Sequence, residues 1–217
     1  MGMDFWRQMD IVTPIDFERY PVTIIGAGGI GSPTTLVLTK MGVEKITIYD
    51  NDVIEKHNLP NQMYRISDID KSKVDATKDI CNDFSGVTIN SLKEEFVSQQ
   101  IYGIVISGVD SMKSRELIWK RMKYNPSVNI YIDARMGAEL CKIHTVKTCD
   151  PGDIKWYEAT LFPDSKASEE VCTAKSVIYN TFIIAGLIAS QVKKFARAQP
   201  FAREIIFDIK TLTFISG

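Results

Sequence analysis

Gly26, Gly28, Gly29 and Gly31 in the stretch VTIIGAGGIGS stand ahead of a group of polar and charged residues whose types suit one kind of chemistry. Gly26, Gly28 and Gly31 meet the spacing G-x-G-x-x-G. A turn without Cβ atoms lets backbone N–H groups and the next helix N-terminus meet phosphate oxygens. Asp50 lies 24 positions after Gly26, where a carboxylate can accept from a ribose hydroxyl. These residues alone suit NAD, FAD, a methyl donor or ATP equally. The segment YDNDVIEKHNLPNQMYRISDIDKSKVDA narrows the choice, because Asn58, Asn61, Gln62, Arg65 and Lys73 supply cations and donors there, alongside the acid Asp52. A triphosphate needs such groups around its α-phosphate, and hydride transfer does not. Asp110 closes GIVISGVD. A carboxylate there can hold Mg²⁺ bridging phosphates, and it is equally suited to cap the following helix.

The elements that must position these groups are legible as alternating strands and helices. VTIIGAG, KITIYD, GIVISGVD and NIYIDARM read as strands and VTINSLKEEF contains one; VTIIGAG shows no polar alternation, as expected for a parallel strand covered on both faces, and KITIYD reads as a second buried strand. Helical spacing covers 32–41, with Gly42 as a stop, then 71–84 and 114–123. This order predicts an α/β fold with a doubly wound, mostly parallel Rossmann-like sheet. Residues 4–20 suggest a short helix and a connector, and 51–70 a loop. After Cys141 the texture changes. KIHTVKT reads as an edge strand, 149–171 as a loop, 174–195 as a helix and REIIFDIKTLTFIS as a hairpin, together an antiparallel C-terminal extension. The expected organisation is a single domain over 1–217: a helical arm (1–20), a nucleotide-binding core (21–140) and the extension with its crossover loop (141–217).

Taken in order, RQ near the N-terminus, GAGGIGS, YDNDVIEKHNLPNQ, KSKVDA, SGVDSMKSR and CTAKSVIYNTFIIAGLIASQVKKF resemble the motif set of the ubiquitin-activating enzyme superfamily, in its small ThiF/MoeB/HesA type. The resemblance spans nearly the whole chain. It implies an adenylyltransferase that uses ATP and Mg²⁺ to activate the C-terminal glycine of a ubiquitin-fold carrier ending in Gly-Gly, with release of pyrophosphate. Gly26, Gly28, Gly29 and Gly31 would then form the phosphate turn, and Asp50 would bind ribose. Asp52 and Asn58 would lie beside the phosphates, Lys73 would contact them, and Asp110 would organise magnesium. Arg7 resembles the family arginine that reaches into the partner subunit's site, which implies a homodimer.

Three departures bear on that pattern. The family loop N-x-x-R-Q reads Asn58-Leu59-Pro60-Asn61-Gln62 here, so Asn61 replaces an arginine; either Arg65 reaches back for it or phosphate is bound with fewer cations. The two CxxC pairs of the family's structural zinc are missing, and no zinc is expected. Cys172 matches a cysteine that some members use to take over the activated carrier as a thioester or acyl disulfide. A helix start lowers a thiol pKa, whereas Glu169 and Glu170 oppose this, and simple packing is the alternative.

Lys+Arg 26 against Asp+Glu 27 gives a formal net charge of −1, which speaks against a nucleic-acid partner. The most apolar stretch, 176–192, falls short of the ~20 residues of a bilayer span and carries Asn180 and Gln191, so no membrane association is expected. Four scattered cysteines without a CxxC pair suggest a reducing, cytoplasmic setting. Competing readings are a NAD-dependent oxidoreductase, which lacks an evident acid/base beyond His57 and His144, and a non-catalytic scaffold subunit. Within the family, a short peptide or a tRNA-bound group is an alternative substrate.

Overall fold

The computed structural model describes residues 3–163 and 176–217. Eight strands form one sheet in the order β3-β2-β1-β4-β5-β6-β7-β8. β1 (Val22–Ile25), β2 (Ile46–Tyr49), β3 (Asn90–Leu92), β4 (Gly103–Ser107) and β5 (Val128–Gly137) pair in parallel. β6 (Leu140–Val146), β7 (Glu204–Asp208) and β8 (Thr213–Ser216) continue antiparallel. The mixed sheet is the expected Rossmann-like one.

VTII and GIVIS are buried at every position because helices cover both faces of the sheet. On one face Ile24, Ile48, Ile106 and Ile132 pack with Leu38 of α1 (Gly31–Met41), Val74 and Cys81 of α2 (Lys73–Ser85), and Ile184 and Ile188 of α5 (Ile178–Ala196). On the other, Ile25, Val105 and Tyr131 pack with Ile118 and Trp119 of α3 (Met112–Met122), and Ile154 and Tyr157 of α4 (Pro151–Glu158). Burying one such side chain contributes about 1.5–3 kcal/mol, so these two layers hold the strand ends in place. Gly42 ends α1 at φ 98°, as its position predicts.

Two expectations are corrected. β6 is an interior strand, not an edge: Ile143 faces Ile205 of β7 on the side away from β5, so the C-terminal hairpin extends the sheet. Residues 149–171 are not all loop, since α4 begins at Pro151. The Asp150 carboxylate accepts from the backbone N–H groups of Gly152 (2.8 Å) and Asp153 (2.9 Å), and Pro151 fits the first turn, where its missing N–H costs nothing. The N-terminal arm comprises two single-turn 3-10 helices, Trp6–Gln8 and Pro14–Phe17. It is tied to the body by Gln8 Nε2 donating to the Met41 carbonyl (2.9 Å) and by burial of Val12 and Phe17.

The polar residues inside α5 serve packing. Asn180 receives the Cys141 thiol proton and donates to the Ala138 carbonyl (2.8 Å), while Gln191 Nε2 donates to Thr145 Oγ1 (2.9 Å). α5 is thereby bonded to β6 and its flanking turn. Among the described residues no helix is long and apolar enough to cross a membrane.

Candidate functional site

The chain runs outward from β1 through β2 to β3, then returns to β4 on the other side of β1. Ligands of open α/β sheets sit at such a reversal, beyond the carboxyl ends of the strands. There the protein opens a cleft of about 480 Å³, a typical size for a small-molecule site. Gly26, Gly28, Gly29, Asp50, Asp52, Asn61, Gln62, Lys73 and Asp110 all line it.

The glycines have different reasons to be there. Gly26 sits at φ +96°, and a Cβ would lie 3.1 Å from the Gly108 carbonyl oxygen. At Gly31 a Cβ would fall 1.8 Å from the Gly26 carbonyl oxygen, so only glycine closes the turn against α1. Gly28 differs, for a Cβ there meets nothing within 4 Å and φ lies outside the left-handed region. Its missing side chain leaves open space in the cleft.

The turn is held from two sides. Asp50 Oδ2 accepts from the Ala27 N–H (2.6 Å), and Oδ1 accepts from the Asp52 N–H (2.8 Å). Tyr64 donates its hydroxyl to the Ala27 carbonyl and lies 3.3 Å from the Lys73 carbonyl. Burial pushes the Tyr64 phenol well above its ordinary pKa, so it remains a donor at every physiological pH. Tyr64 thus couples the glycine turn to the first turn of α2, a role its type and position do not advertise.

Lys73 begins α2, and its nearly buried ammonium lies 2.7 Å from Asp52 Oδ2. Asn61 and Gln62 carry buried side-chain oxygens, Oδ1 and Oε1, without a hydrogen-bond partner, an arrangement that is costly unless something else meets these side chains. Asp110 is exposed in the cleft, and its carboxylate has no hydrogen-bond or ion-pair partner among the described residues. It does not cap α3; Ser111 Oγ does, accepting from the Ser114 N–H (3.0 Å). That removes the capping alternative and leaves a carboxylate suited to a hard cation, which binds through one or two carboxylates plus phosphates.

Of the other expected residues, Asn58 and Arg65 stand elsewhere, Arg7 is expected in a partner's cleft and Cys172 cannot be placed. Asn58 is buried beneath its own turn, where Oδ1 accepts from the Glu55 N–H (2.9 Å), and does not line the cleft. Arg65 does not reach back: its Nη2 pairs with Asp83 of α2 at 2.6 Å, outside the cleft. Arg7 is exposed on the arm, beside Trp6, Met9 and Asp10, and does not reach this chain's own cleft. Cys172 lies outside the described residues. Of the other cysteines, Cys81 and Cys141 are buried, which pushes both thiols up to about 12.

The cleft also holds residues the sequence did not single out. Tyr49 and Phe96 meet edge to face, ring centroids 5.6 Å apart, on the Asp50 side, and Glu94 and Glu95 lie beside them. Arg115 of α3 lines the opposite wall and donates to buried Asp133 Oδ1 at 2.6 Å. Burial alone would raise the Asp133 carboxyl; the guanidinium groups of Arg115 and Arg135 hold it well below the usual carboxylate range. In the sequence Arg115 stands five residues after Asp110, within SGVDSMKSR.

A parallel core with its glycine turn at the sheet reversal, extended by three antiparallel strands, defines a Rossmann-like protein of the ubiquitin-activating-enzyme type. The chain belongs to the ThiF family, whose family model matches residues 15–214. It is 35% identical over 110 residues to a "Probable molybdopterin-synthase adenylyltransferase" of Porphyra purpurea, covering 46% of this chain and 28% of that protein. It is 32% identical over 107 residues to the "Probable adenylyltransferase/sulfurtransferase MoeZ" of Mycobacterium tuberculosis, covering 45% and 27%. A crystal structure of E. coli MccB with AMPCPP and selenomethionine MccA superposes with a TM-score of 0.74 at 18% identity, covering 94% of this chain and 65% of MccB. The matched regions span under a third of the two curated relatives and under two thirds of MccB.

Proposed function

We propose that this chain binds ATP with Mg²⁺ and adenylates the C-terminal glycine of a ubiquitin-fold or sulfur-carrier protein. The observation that carries this reading is the meeting, in one cleft, of an open glycine turn, the Lys73 ammonium and the unpartnered Asp110 carboxylate. Membership of the ThiF family and the adenylyltransferase activities for which its relatives are named support it.

In this reading the nucleotide phosphates lie along the glycine turn, the ribose at Asp50 and the base against Tyr49 and Phe96. A carboxylate oxygen of the carrier attacks the α-phosphorus; the new C–O–P bond forms as the α–β bridge breaks, and pyrophosphate leaves with the electron pair. No proton must move and no protein nucleophile is required. The demand is electrostatic, since two anions are brought together. Lys73 exchanges Asp52 for phosphate oxygen, the Asn61 and Gln62 amides supply neutral donors where an arginine is missing, and Mg²⁺ held by Asp110 would supply Lewis-acid charge at the phosphates.

The test is exchange of radiolabelled pyrophosphate into ATP, with a panel of ubiquitin-fold proteins ending in Gly-Gly and a panel of short peptides. Carrier-dependent exchange is the expected result. Exchange with peptides alone would move the substrate class, and tighter binding of NADH than of ATP would overturn the reading. No described histidine lines the cleft, which leaves hydride chemistry without an acid/base there. The scaffold reading draws on Asn61, and ATP binding without any adenylate would favour it.

A homodimer completes the proposed site. Arg7 projects from an arm that also exposes Trp6 (74%), Ile11 (59%) and Ile15 (69%), a surface suited to burial against a second copy. Arg7→Ala and Lys73→Ala are each expected to be inactive. Mixed and allowed to exchange subunits, they should recover about a quarter of the wild-type activity, because half of the dimers then carry one complete site. No recovery, with subunit exchange verified by native mass spectrometry, sinks the trans role of Arg7.

A further inference from the structure

We propose that Arg115 is a positioning residue that sets the Asp110 loop by anchoring it to a buried charge hub at Asp133. The inference rests on the reading of Asp110 given above. The two neighbours of Asp110 in the chain are both held. On one side Arg115 Nη2 donates to the Val109 carbonyl. On the other Ser111 caps α3, accepting from the Ser114 N–H (3.0 Å) and donating to Ser114 Oγ (2.8 Å). Asp110 itself has no described partner, so its place in the cleft depends on these flanking bonds.

What fixes Arg115 is equally specific. Its Nη1 donates to Asp133 Oδ1 (2.6 Å) and to the Ala134 carbonyl (3.2 Å). The other Asp133 oxygen, Oδ2, accepts from Arg135 Nε (2.8 Å). Arg135 in turn donates to the Thr160 carbonyl (3.0 Å) and to Thr160 Oγ1 (3.1 Å), just beyond the end of α4. Asp133 is fully buried on β5, and both arginine side chains are nearly so. A buried carboxylate whose two oxygens take different guanidinium groups has one arrangement, because each planar fork presents its donors in a set geometry. The hub therefore transmits the position of β5 to the Val109 carbonyl, and from there to the next residue.

A lysine at position 115 keeps the charge but presents all its donors from one nitrogen, and cannot span Asp133 and the Val109 carbonyl in the same way. Arg115→Lys is expected to raise the Mg²⁺ concentration for half-maximal pyrophosphate exchange by about 10–100-fold, the range for disturbing a residue behind a metal ligand. ATP affinity measured calorimetrically in EDTA should stay within about twofold of wild type, since the glycine turn, Asp50 and Lys73 are untouched. Amide hydrogen exchange should quicken in the peptide spanning 108–112 and remain unchanged in β1 and α1. Asp133→Asn keeps the size of the hub but weakens its bonds to both Arg115 and Arg135, so it should shift both readouts the same way and also quicken exchange around Thr160. An unaltered Mg²⁺ requirement, or loss of protection spread over the whole sheet, would reduce Arg115 to a packing residue and overturn the proposal. Should wild-type protein bind no ATP, the nucleotide reading falls, while exchange at 108–112 still decides whether Arg115 sets the loop.

Discussion

Asp110→Ala is expected to lower carrier-dependent pyrophosphate exchange on the order of 10²–10³-fold, the range seen when one group that meets transition-state charge is removed. The fold should be unaffected, because Asp110 is exposed, has no described partner and leaves capping of α3 to Ser111. Thermal unfolding of the variant should therefore match wild type within the ~0.5 kcal/mol usual for surface changes. EDTA should lower exchange by wild type at least as far as the substitution does, and the variant should need more Mg²⁺ than wild type for half-maximal exchange. Exchange retained within tenfold of wild type would strip Asp110 of its magnesium role.

Gly28→Val separates ligand space from turn geometry. The added side chain starts from a Cβ with nothing within 4 Å, at a backbone conformation that other residues adopt, so the empty protein should fold normally. The same atoms occupy the floor on which the phosphates are proposed to lie. Wild type should gain about 2.7 kcal/mol of stability at an ATP concentration near 100 times Kd, read as a rise in Tm, and Gly28→Val should gain none. Gly31→Ala is the contrasting variant: its Cβ would sit 1.8 Å from the Gly26 carbonyl oxygen, so it should unfold at lower temperature with or without nucleotide. Equal ATP stabilisation of Gly28→Val and wild type would remove the nucleotide from the turn.

The parallel half of the sheet was readable because VTII and GIVIS are short apolar runs followed by helices, and Gly42 marks a helix end in the sequence itself. The cleft acids and Lys73 were readable for a related reason, since each stands at a strand end or a helix start. α4 was missed although Asp150-Pro151 is a cap followed by a first-turn proline; the surrounding Pro, Asp, Ser and Glu outweighed that local signal. β6 was misplaced because whether a strand lies at an edge depends on what pairs with its far side, and pairing is tertiary information. The same limit applies to the site. Arg65 carries the right charge four residues beyond Asn61, but Asp83 on the next helix holds it. Arg115 lines the cleft while its donors are held by Asp133 and the backbone, and that placement follows from how α3 packs on β5.

The pairing of Lys73 with Asp52 makes that carboxylate a tethered competitor for any incoming anion. Its effective concentration at the ammonium is on the order of millimolar or higher, as for any group on a short tether. Free orthophosphate, meeting Lys73 alone, gains too little to displace it. The proposed nucleotide, which would also occupy the open turn and engage Asp50, would replace Asp52 through several contacts made together. Under the proposed function the cleft would thereby discriminate against simple anions, through a carboxylate that stays part of the chain.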